Sequence, residues 1–462
     1  MAVLIIFILL CLLSFLCYSL FFIKPKDSRD GRDLPPSPPS LPIIGHLHLI
    51  LLSTLTHKSF QRLSSKYGPL LHLRIFHVPI VLASSASVAY DIFRDQDVNV
   101  SFRHSPPIEE SLFLGSYSFI SAPYGDYWKF MRKLMVTKIL GPQALERSRR
   151  FREDELDRFY KTLLDKAMKK ESVEIVEEAA KLNNNTICKM IMGRSCSEET
   201  GEAERIRGLR RFLWNTKEKM EEHHQGTDMM DVLLEAYRDE NAEYKITRNH
   251  IKSMFVDLFI AGTDTSSTTI QWIMAEIINH PKILERLREE IDFVVGKTRL
   301  IQETDLPNLL YLQAIIKEGL RLHPPGPLLP RTVQERCEIK GFHIPEKTIL
   351  VVNSYAIMRD PDFWEDPDEF KPERFLSISR SGQEDEIRDK FLKYIPFASG
   401  RRGCPGTNLA YASVGTAVGV MVQCFDWKIE GEKVNMNEAA GTMVLTMAHP
   451  LKCTPVPRTL NR

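Results

Sequence analysis

Ten residues near the C-terminal end, Phe397-Ala398-Ser399-Gly400-Arg401-Arg402-Gly403-Cys404-Pro405-Gly406, restrict the fold more than any other stretch. Gly400, Gly403 and Gly406 let the backbone turn sharply and approach a flat group closely, because no Cβ stands in the way. The run from Leu409 to Cys424 is small, apolar and β-branched, and predicts a buried helix starting just after Gly406. The N-terminus of that helix would aim unpaired N–H groups and a positive dipole end at Cys404. Such surroundings lower a thiol pKa and hold a thiolate. An isolated cysteine is more often a small buried hydrophobe. A thiolate beside glycines, with Arg401 and Arg402 at hand for carboxylates, instead meets the needs of an axial haem ligand.

Phe397, Gly400, Arg402, Cys404 and Gly406 spell Phe-x-x-Gly-x-Arg-x-Cys-x-Gly, which resembles the haem-binding signature of the cytochromes P450. Four further motifs stand in that family's order: Trp128/Arg132, Ala261-Gly262-Thr263-Asp264-Thr265, Glu318/Arg321 and Pro372-Glu373-Arg374-Phe375. The resemblance implies the cytochrome P450 fold, mainly α with small β-sheets (α+β), holding haem b, iron protoporphyrin IX, with the Cys404 thiolate on the metal. It implies that Trp128, Arg132 and Arg331 meet the propionates and that Ala261, Phe397, Arg402 and Gly406 lie against the cofactor. Asp264 and Thr265 would relay protons for O2 activation. Glu318 and Arg321, joined by Arg374, would form a buried network that locks the cysteine loop. Leu114, Phe119, Phe259, Leu328 and Met443 are the expected wall of the substrate pocket.

Met1 to Ile23 carries no charge and as a helix would span about 34 Å, enough for a bilayer core of about 30 Å. A cleaved signal peptide fits less well, since no positive segment precedes the run and no small-x-small site follows it. Lys24, Lys26, Arg29 and Arg32 come directly after, which by the positive-inside rule leaves the remainder in the cytosol. Leu34 to Pro42 is too rich in proline for helix or central strand and reads as a stiff spacer. The expected organisation is a transmembrane signal anchor at 1–23, a basic and proline-rich hinge at 24–45, and a haem-thiolate oxidase domain at 46–462. The resemblance places such a chain in the endoplasmic reticulum membrane, single-pass, with the catalytic domain cytosolic.

A formal net charge of +1 gives no reason to expect nucleic acid as a partner. Eight cysteines without a Cys-x-x-Cys pair speak against a zinc ribbon or a thioredoxin-like site. A disulfide framework is not expected either, because Cys11 and Cys17 lie inside an apolar segment and the others are far apart. No Gly-x-Gly-x-x-Gly opens a βαβ unit, so NADPH is not expected on this chain. Electrons would come from NADPH through a separate flavin protein, the NADPH–cytochrome P450 reductase, docked on the cysteine side where Arg401 and Arg402 are expected near the surface.

Leu70 to Ser84 predicts two short strands broken at Pro79, and Cys337–Lys340 and Thr348–Ser354 predict further strands. Ser105 to Tyr124 is a loop with too much apolar surface to stand free. Thr247 is a candidate N-cap for a long helix from about Ile251 to His280, stopped by Pro281. Gly262 inside it asks for a reason, either close approach of a flat cofactor or a local opening of the helix. The interval between Trp128 and Ala261 is several tens of residues shorter than the resemblance leads one to expect. The shortening lies around 210–217, where a helix pair would roof the pocket.

The resemblance is to plant A-type enzymes, and to a crucifer branch with triterpenoid-modifying oxidases lying near flavonoid oxidases. It implies a monooxygenase that hydroxylates or desaturates a small lipophilic specialised metabolite, a triterpenoid or a phenolic. The alternative is a shortened, catalytically impaired haem-binding protein on the same membrane anchor.

Overall fold

The computed structural model describes residues 33–51, 55–103, 117–193, 228–376 and 393–458, with a few positions between 7 and 14. In chain order the elements are α1 (Leu47–Leu51), α2 (Thr56–Tyr67), β1 (Leu70–Ile75), β2 (Val78–Ala83), α3 (Ala86–Asp95), α4 (Asp126–Leu134), α5 (Pro142–Arg147) and α6 (Arg149–Lys169). There follow β3 (Val173–Glu174), α7 (Ile175–Met192), α8 (Met229–Arg238), α9 (Arg248–Asn279), α10 (Pro281–Val294), α11 (Leu310–Leu322) and β4 (Leu329–Thr332). The chain ends through β5 (Cys337–Ile339), β6 (Phe342–Ile344), β7 (Ile349–Val352), α12 (Ser354–Ile357), α13 (Thr407–Cys424), β8 (Phe425–Lys428) and β9 (Lys452–Pro457). Helices dominate and the strands gather in small sheets, as expected.

Thr247 starts the longest helix, α9. Its hydroxyl accepts from the His250 N–H, and the His250 ring accepts from the Thr247 N–H at 2.9 Å. This reciprocal cap begins the helix a few residues before Ile251. Pro281, which has no N–H to lose at a first helical position, opens α10 directly after His280. Helix α7 lies along α9. A Cβ at Gly262 would stand 2.6 Å from Ile187 Cδ1, so the glycine makes room for a side chain of α7. The helix is continuous through 261–265, and neither an opening nor the cofactor is needed to explain Gly262. Beside that contact Thr263 Oγ1 donates to Asn184 Oδ1 at 2.6 Å, and Asn183 Nδ2 to Ser267 Oγ at 3.1 Å. Buried hydroxyls and amides along the seam are thereby satisfied in pairs.

The four-stranded sheet has the order β1-β2-β7-β4. The β1–β2 turn falls at Phe76 and His77, not at Pro79, which sits inside β2. The parallel ladder to β7 covers only Ile80 to Ala83, so the missing proline N–H leaves no gap in it. Alternation along the strands covers both faces. Val81, Ala83, Leu350 and Val352 pack toward α3, while Leu71, Leu73, Leu82 and Val351 pack toward Phe60 of α2. Antiparallel β4 brings Arg331 opposite Leu350. The segment after Cys337 is a hairpin, β5 with β6, turning at Gly341 with φ +80°.

Helix α11 carries Glu318 and Arg321, both fully buried. Arg321 Nε and Nη2 donate to the Glu318 carboxylate at 2.7 and 2.9 Å, and Arg374 Nε donates to it at 3.0 Å. The Lys371 N–H gives Glu318 a further bond at 2.9 Å. Arg321 Nη1 donates to the carbonyls of Met358 and Pro367. Trp364 and Phe375, flanking this network, pack with Tyr394, which leads into the cysteine loop. Cys188 is disulfide-bonded, a link the scattered cysteine spacing does not suggest.

Most of the anchor expected at 1–23 lies outside the described residues, and Leu114 and the shortened interval around 210–217 lie wholly outside them. Among the described residues no helix is long and apolar enough to cross a membrane. Residues 33–40 of the hinge form neither helix nor strand.

Replacing Glu318 by Ala leaves two buried or half-buried guanidinium groups without their carboxylate. The expected loss is about 3–5 kcal/mol, read as a lower urea midpoint by far-ultraviolet circular dichroism. Arg94→Ala, which breaks an exposed pair with Asp95, leaves that midpoint in place.

Candidate active site

The cysteine loop is held by its own backbone. Cys404 N–H donates to Phe397 O and Gly403 N–H to Gly400 O, each at 2.9 Å. Two left-handed positions make this possible, Ala398 at φ +59° and Gly400 at φ +70°. Helix α13 follows with Gly406 at its N-cap, and the Gly406 N–H donates to Cys404 Sγ at 3.3 Å. The sulfur is packed among protein atoms yet open to a cavity of about 380 Å³. Burial pushes the Cys404 thiol above its ordinary value, and the Gly406 N–H, Arg132 and Arg103 oppose that. The expected lowering by a helix N-terminus is thus outweighed by desolvation in the protein alone.

Around the same cavity stands a group of cations. Trp128 and Arg132, one turn apart on α4, both line it. Arg132 Nη1 donates to Gly403 O at 2.7 Å. Arg402 is buried rather than near the surface. Its Nε donates to Ser101 O at 2.8 Å, Nη2 donates to Ala122 O, and its guanidinium lies 4.6 Å from the Trp128 ring centre. Arg331, carried by β4, is buried beside it. Burial, with Arg103 and Arg402 nearby, brings the Arg331 guanidinium down to about 9. Burial, Arg103 and Arg132 bring Arg402 down to about 9. Arg103 belongs to this group and was not singled out from the sequence.

Three donors here are buried with no acceptor among the described residues: Trp128 Nε1, Arg103 Nε and Arg331 Nη2. Leaving such groups unpaired costs about 1–3 kcal/mol each, and they ask for anionic oxygens that none of the described residues supplies. A flat dianionic macrocycle with a metal for the Cys404 sulfur fits this set. Phe397, Gly406 and Ala261 also line the cavity.

The opposite wall is α9, whose cavity face carries Met254, Asp257, Leu258, Ala261, Thr265 and Thr269. Thr265 Oγ1 donates to Ala261 O at 2.7 Å. Asp264, the next residue round the helix, is exposed and does not line the cavity. Of the expected pocket wall, Phe119 lines the cavity and stacks on Trp128 with ring centres 5.9 Å apart. Phe259 does not, because it falls off the stripe that faces inward on α9. Leu328 turns the other way from Leu329 and packs on the sheet cluster with Phe60. Met443 is 88% exposed, while its neighbour Leu445 is the buried residue, accepting from Trp272 Nε1 at 2.8 Å.

Asp257 is the acid that sequence reading passed over. A lone carboxylate amid Phe255, Val256, Leu258 and Phe259, one turn before Ala261, was the available signal. It accepts from Ser118 Oγ at 2.8 Å and from the Phe119 N–H at 2.8 Å. Helix α9 thereby holds the loop that carries Phe119 over the cavity. Burial raises Asp257 to about 6, against the pull of Ser118, the Ile120 and Phe119 amides, and Arg103.

A family model described as Cytochrome P450 matches residues 35–210 and 202–455 of the chain. An Arabidopsis thaliana protein, Cytochrome P450 705A5, is 67% identical over 500 residues, covering 99% of this chain and 97% of that one. The 3,9-dihydroxypterocarpan 6A-monooxygenase of Glycine max is 38% identical, covering 90% of this chain and 92% of the relative. Among solved structures, a zebra fish cytochrome P450 with abiraterone superposes with a TM-score of 0.75 at 24% identity, over 87% of this chain and 100% of the other.

The raised Asp257 gives the protein a pH signature. A carboxyl whose folded value exceeds its unfolded one destabilises the fold fully above the folded value, and that cost fades as pH falls toward the unfolded one. Between pH 6 and the ordinary value of 3.8 the native state therefore gains from this group, by about 2–3 kcal/mol in all. Asp257→Asn removes that gain. The difference in unfolding free energy between wild type and variant, followed from pH 4 to 8, bends below about 6 and is flat above.

Proposed function

The chain belongs to the cytochrome P450 family, whose members are oxidoreductases that use dioxygen, and on that premise we propose that it is a membrane-anchored haem-thiolate monooxygenase acting on a small lipophilic plant metabolite. The observation that carries this reading is the pairing of one accessible thiol, Cys404, with buried donors across the same cavity that lack acceptors among the described residues. Haem bound there would activate dioxygen at its iron, with electrons from an NADPH-dependent reductase. Cys404 would be the metal ligand, and Trp128, Arg103, Arg132 and Arg331 would hold the carboxylates by charge-assisted hydrogen bonds.

On the distal wall Thr265 presents a hydroxyl to the cavity, and Asp264 beside it reaches solvent. Together they would carry protons from water to the Thr265 hydroxyl. Apolar walls such as Phe119, Ile187, Met190 and Leu258 would exclude water and orient an apolar substrate. A triterpenoid or a phenolic suits such walls. The name of the soybean relative, which refers to a dihydroxypterocarpan, supports the phenolic side. Residues 1–23 would anchor the protein in the endoplasmic reticulum membrane, and the basic, proline-rich stretch would hold the domain off its surface.

A second reading has its own support. The family model matches in two pieces that meet at 202–210, and the relative from Arabidopsis aligns over more residues than this chain has. A shortened roof would leave a haem protein without turnover.

The test is the difference spectrum of the reduced, carbon-monoxide-bound protein in microsomes. A thiolate-type Soret band is expected, and Cys404→Ser abolishes it. A band typical of imidazole ligation, or unaltered pigment in the serine variant, overturns the reading. Product formation with added reductase separates an active oxygenase from the shortened haem protein, which gives the same band and no product.

A further inference from the structure

Resting on the haem-thiolate reading of Cys404, we propose that Asp97 is a positioning residue, which sets the cysteine loop by accepting the Arg401 backbone N–H. Asp97 lies just after α3, far from the loop in sequence, with only 14% of its side chain exposed. Both of its carboxylate oxygens lie 3.1 Å from the Arg401 backbone nitrogen. Arg401 Nη1 adds a charged bond to Oδ2 at 2.8 Å.

The contact is close on the backbone side as well. A Cβ at Gly400 would stand 2.2 Å from Asp97 Oδ1, in addition to the strain a side chain meets at φ +70°. The carboxylate thus occupies the space that glycine at 400 leaves open. The loop's internal bond, Gly403 N–H to Gly400 O, is accepted by the same Gly400–Arg401 peptide whose N–H Asp97 holds.

The segment behind Asp97 is tied to its neighbours by hydrogen bonds. Asp97 O accepts from Ser101 Oγ, and Ser101 O accepts from Arg402 Nε at 2.8 Å. Asn99 accepts from the Glu335 N–H at 2.7 Å and donates to Glu335 O at 2.8 Å. Phe102 is bridged to Thr332. One short stretch therefore grips Arg401 and Arg402 of the loop, presents Arg103 to the cavity, and is sewn to the strand that carries Arg331. Asp97 sets where the loop sits relative to the donors that would take the carboxylates.

A plain ion pair and a backbone hook make different forecasts. Removing the Arg401 side chain deletes the pair but keeps the N–H bonds. Removing the Asp97 carboxylate deletes both. The experiment compares wild type, Arg401→Ala, Asp97→Asn and Asp97→Ala as haem-loaded protein. It reads the fraction with a thiolate-type Soret band after reduction under carbon monoxide, and the rate of haem transfer to excess apomyoglobin.

With a hook, Arg401→Ala stays near wild type. Asp97→Asn, which keeps an amide oxygen as acceptor, also holds most of the band. Asp97→Ala loses haem about tenfold faster, with the thiolate band falling toward the form lacking it. Equal, small effects of Asp97→Ala and Arg401→Ala would reduce Asp97 to a surface ion pair and overturn the proposal. If Asp97→Ala yields no folded protein, Asp97→Ser, whose hydroxyl is too short to reach the Arg401 N–H, takes its place. Faster haem loss from the Ser variant than from Asp97→Asn is then expected, and equal retention by the two sinks the proposal. Absence of the thiolate band from wild type would instead refute the haem reading itself.

Discussion

Buried guanidinium groups gathered on one side of a cavity, with fewer acceptors than donors, are the constraint around which the rest is arranged. Arg103, Arg331 and Arg402 are buried close to one another, and burial already depresses their proton affinity. No fold would hold them together for stability alone. Arg402 takes the backbone carbonyls of Ser101 and Ala122, while Nε of Arg103, Nη2 of Arg331 and Nε1 of Trp128 find no acceptor among the described residues. The arrangement makes sense when an anionic partner is part of the finished protein, as the family's haem is.

The glycines are best understood by what each one faces. Gly400 faces a carboxylate and takes a left-handed turn; Gly262 faces Ile187; a Cβ at Gly319 would meet Ile273 Cγ1 at 2.5 Å. Close approach thus occurs at the loop, at the α7–α9 seam and at the α11–α9 seam. These contacts fix α9 from two sides, and α9 in turn places Thr265 and Asp257 over the cavity. The Glu318 network does the corresponding task below, tying α11 to the stretch before the loop.

What was legible in the sequence were local devices and one dense motif. The Thr247 cap, Pro281 at the start of the next helix, the helix after Gly406 and the turn at Gly400 each follow from a residue's own stereochemistry. The thiol's neighbourhood followed from the motif. What escaped reading depends on partners far along the chain: Asp257 meets Ser118, Asp97 meets Arg401, and Arg103 joins cations from β4 and the loop. Nothing in the residues around a lone Asp or Arg announces such a partner. Gly262 shows the same limit from another side, since a helical glycine looks alike whether it faces a cofactor or an isoleucine. Phe259, Leu328 and Met443 failed for want of phase. A shift of one residue in a strand, or of a hundred degrees round a helix, turns a pocket wall into packing or surface.

The parallel pairing of β2 with β7 has a temporal consequence. Ile80 to Ala83 align with Ile349 to Val352, so at ribosomal speeds of about 5–20 residues per second the open edge of the first hairpin waits roughly 15–50 s for its neighbour. Through that interval Val81 and Leu82 belong to an unfinished sheet. A nascent chain of this design is most vulnerable to mispairing early in its synthesis, long before the cavity it will enclose exists.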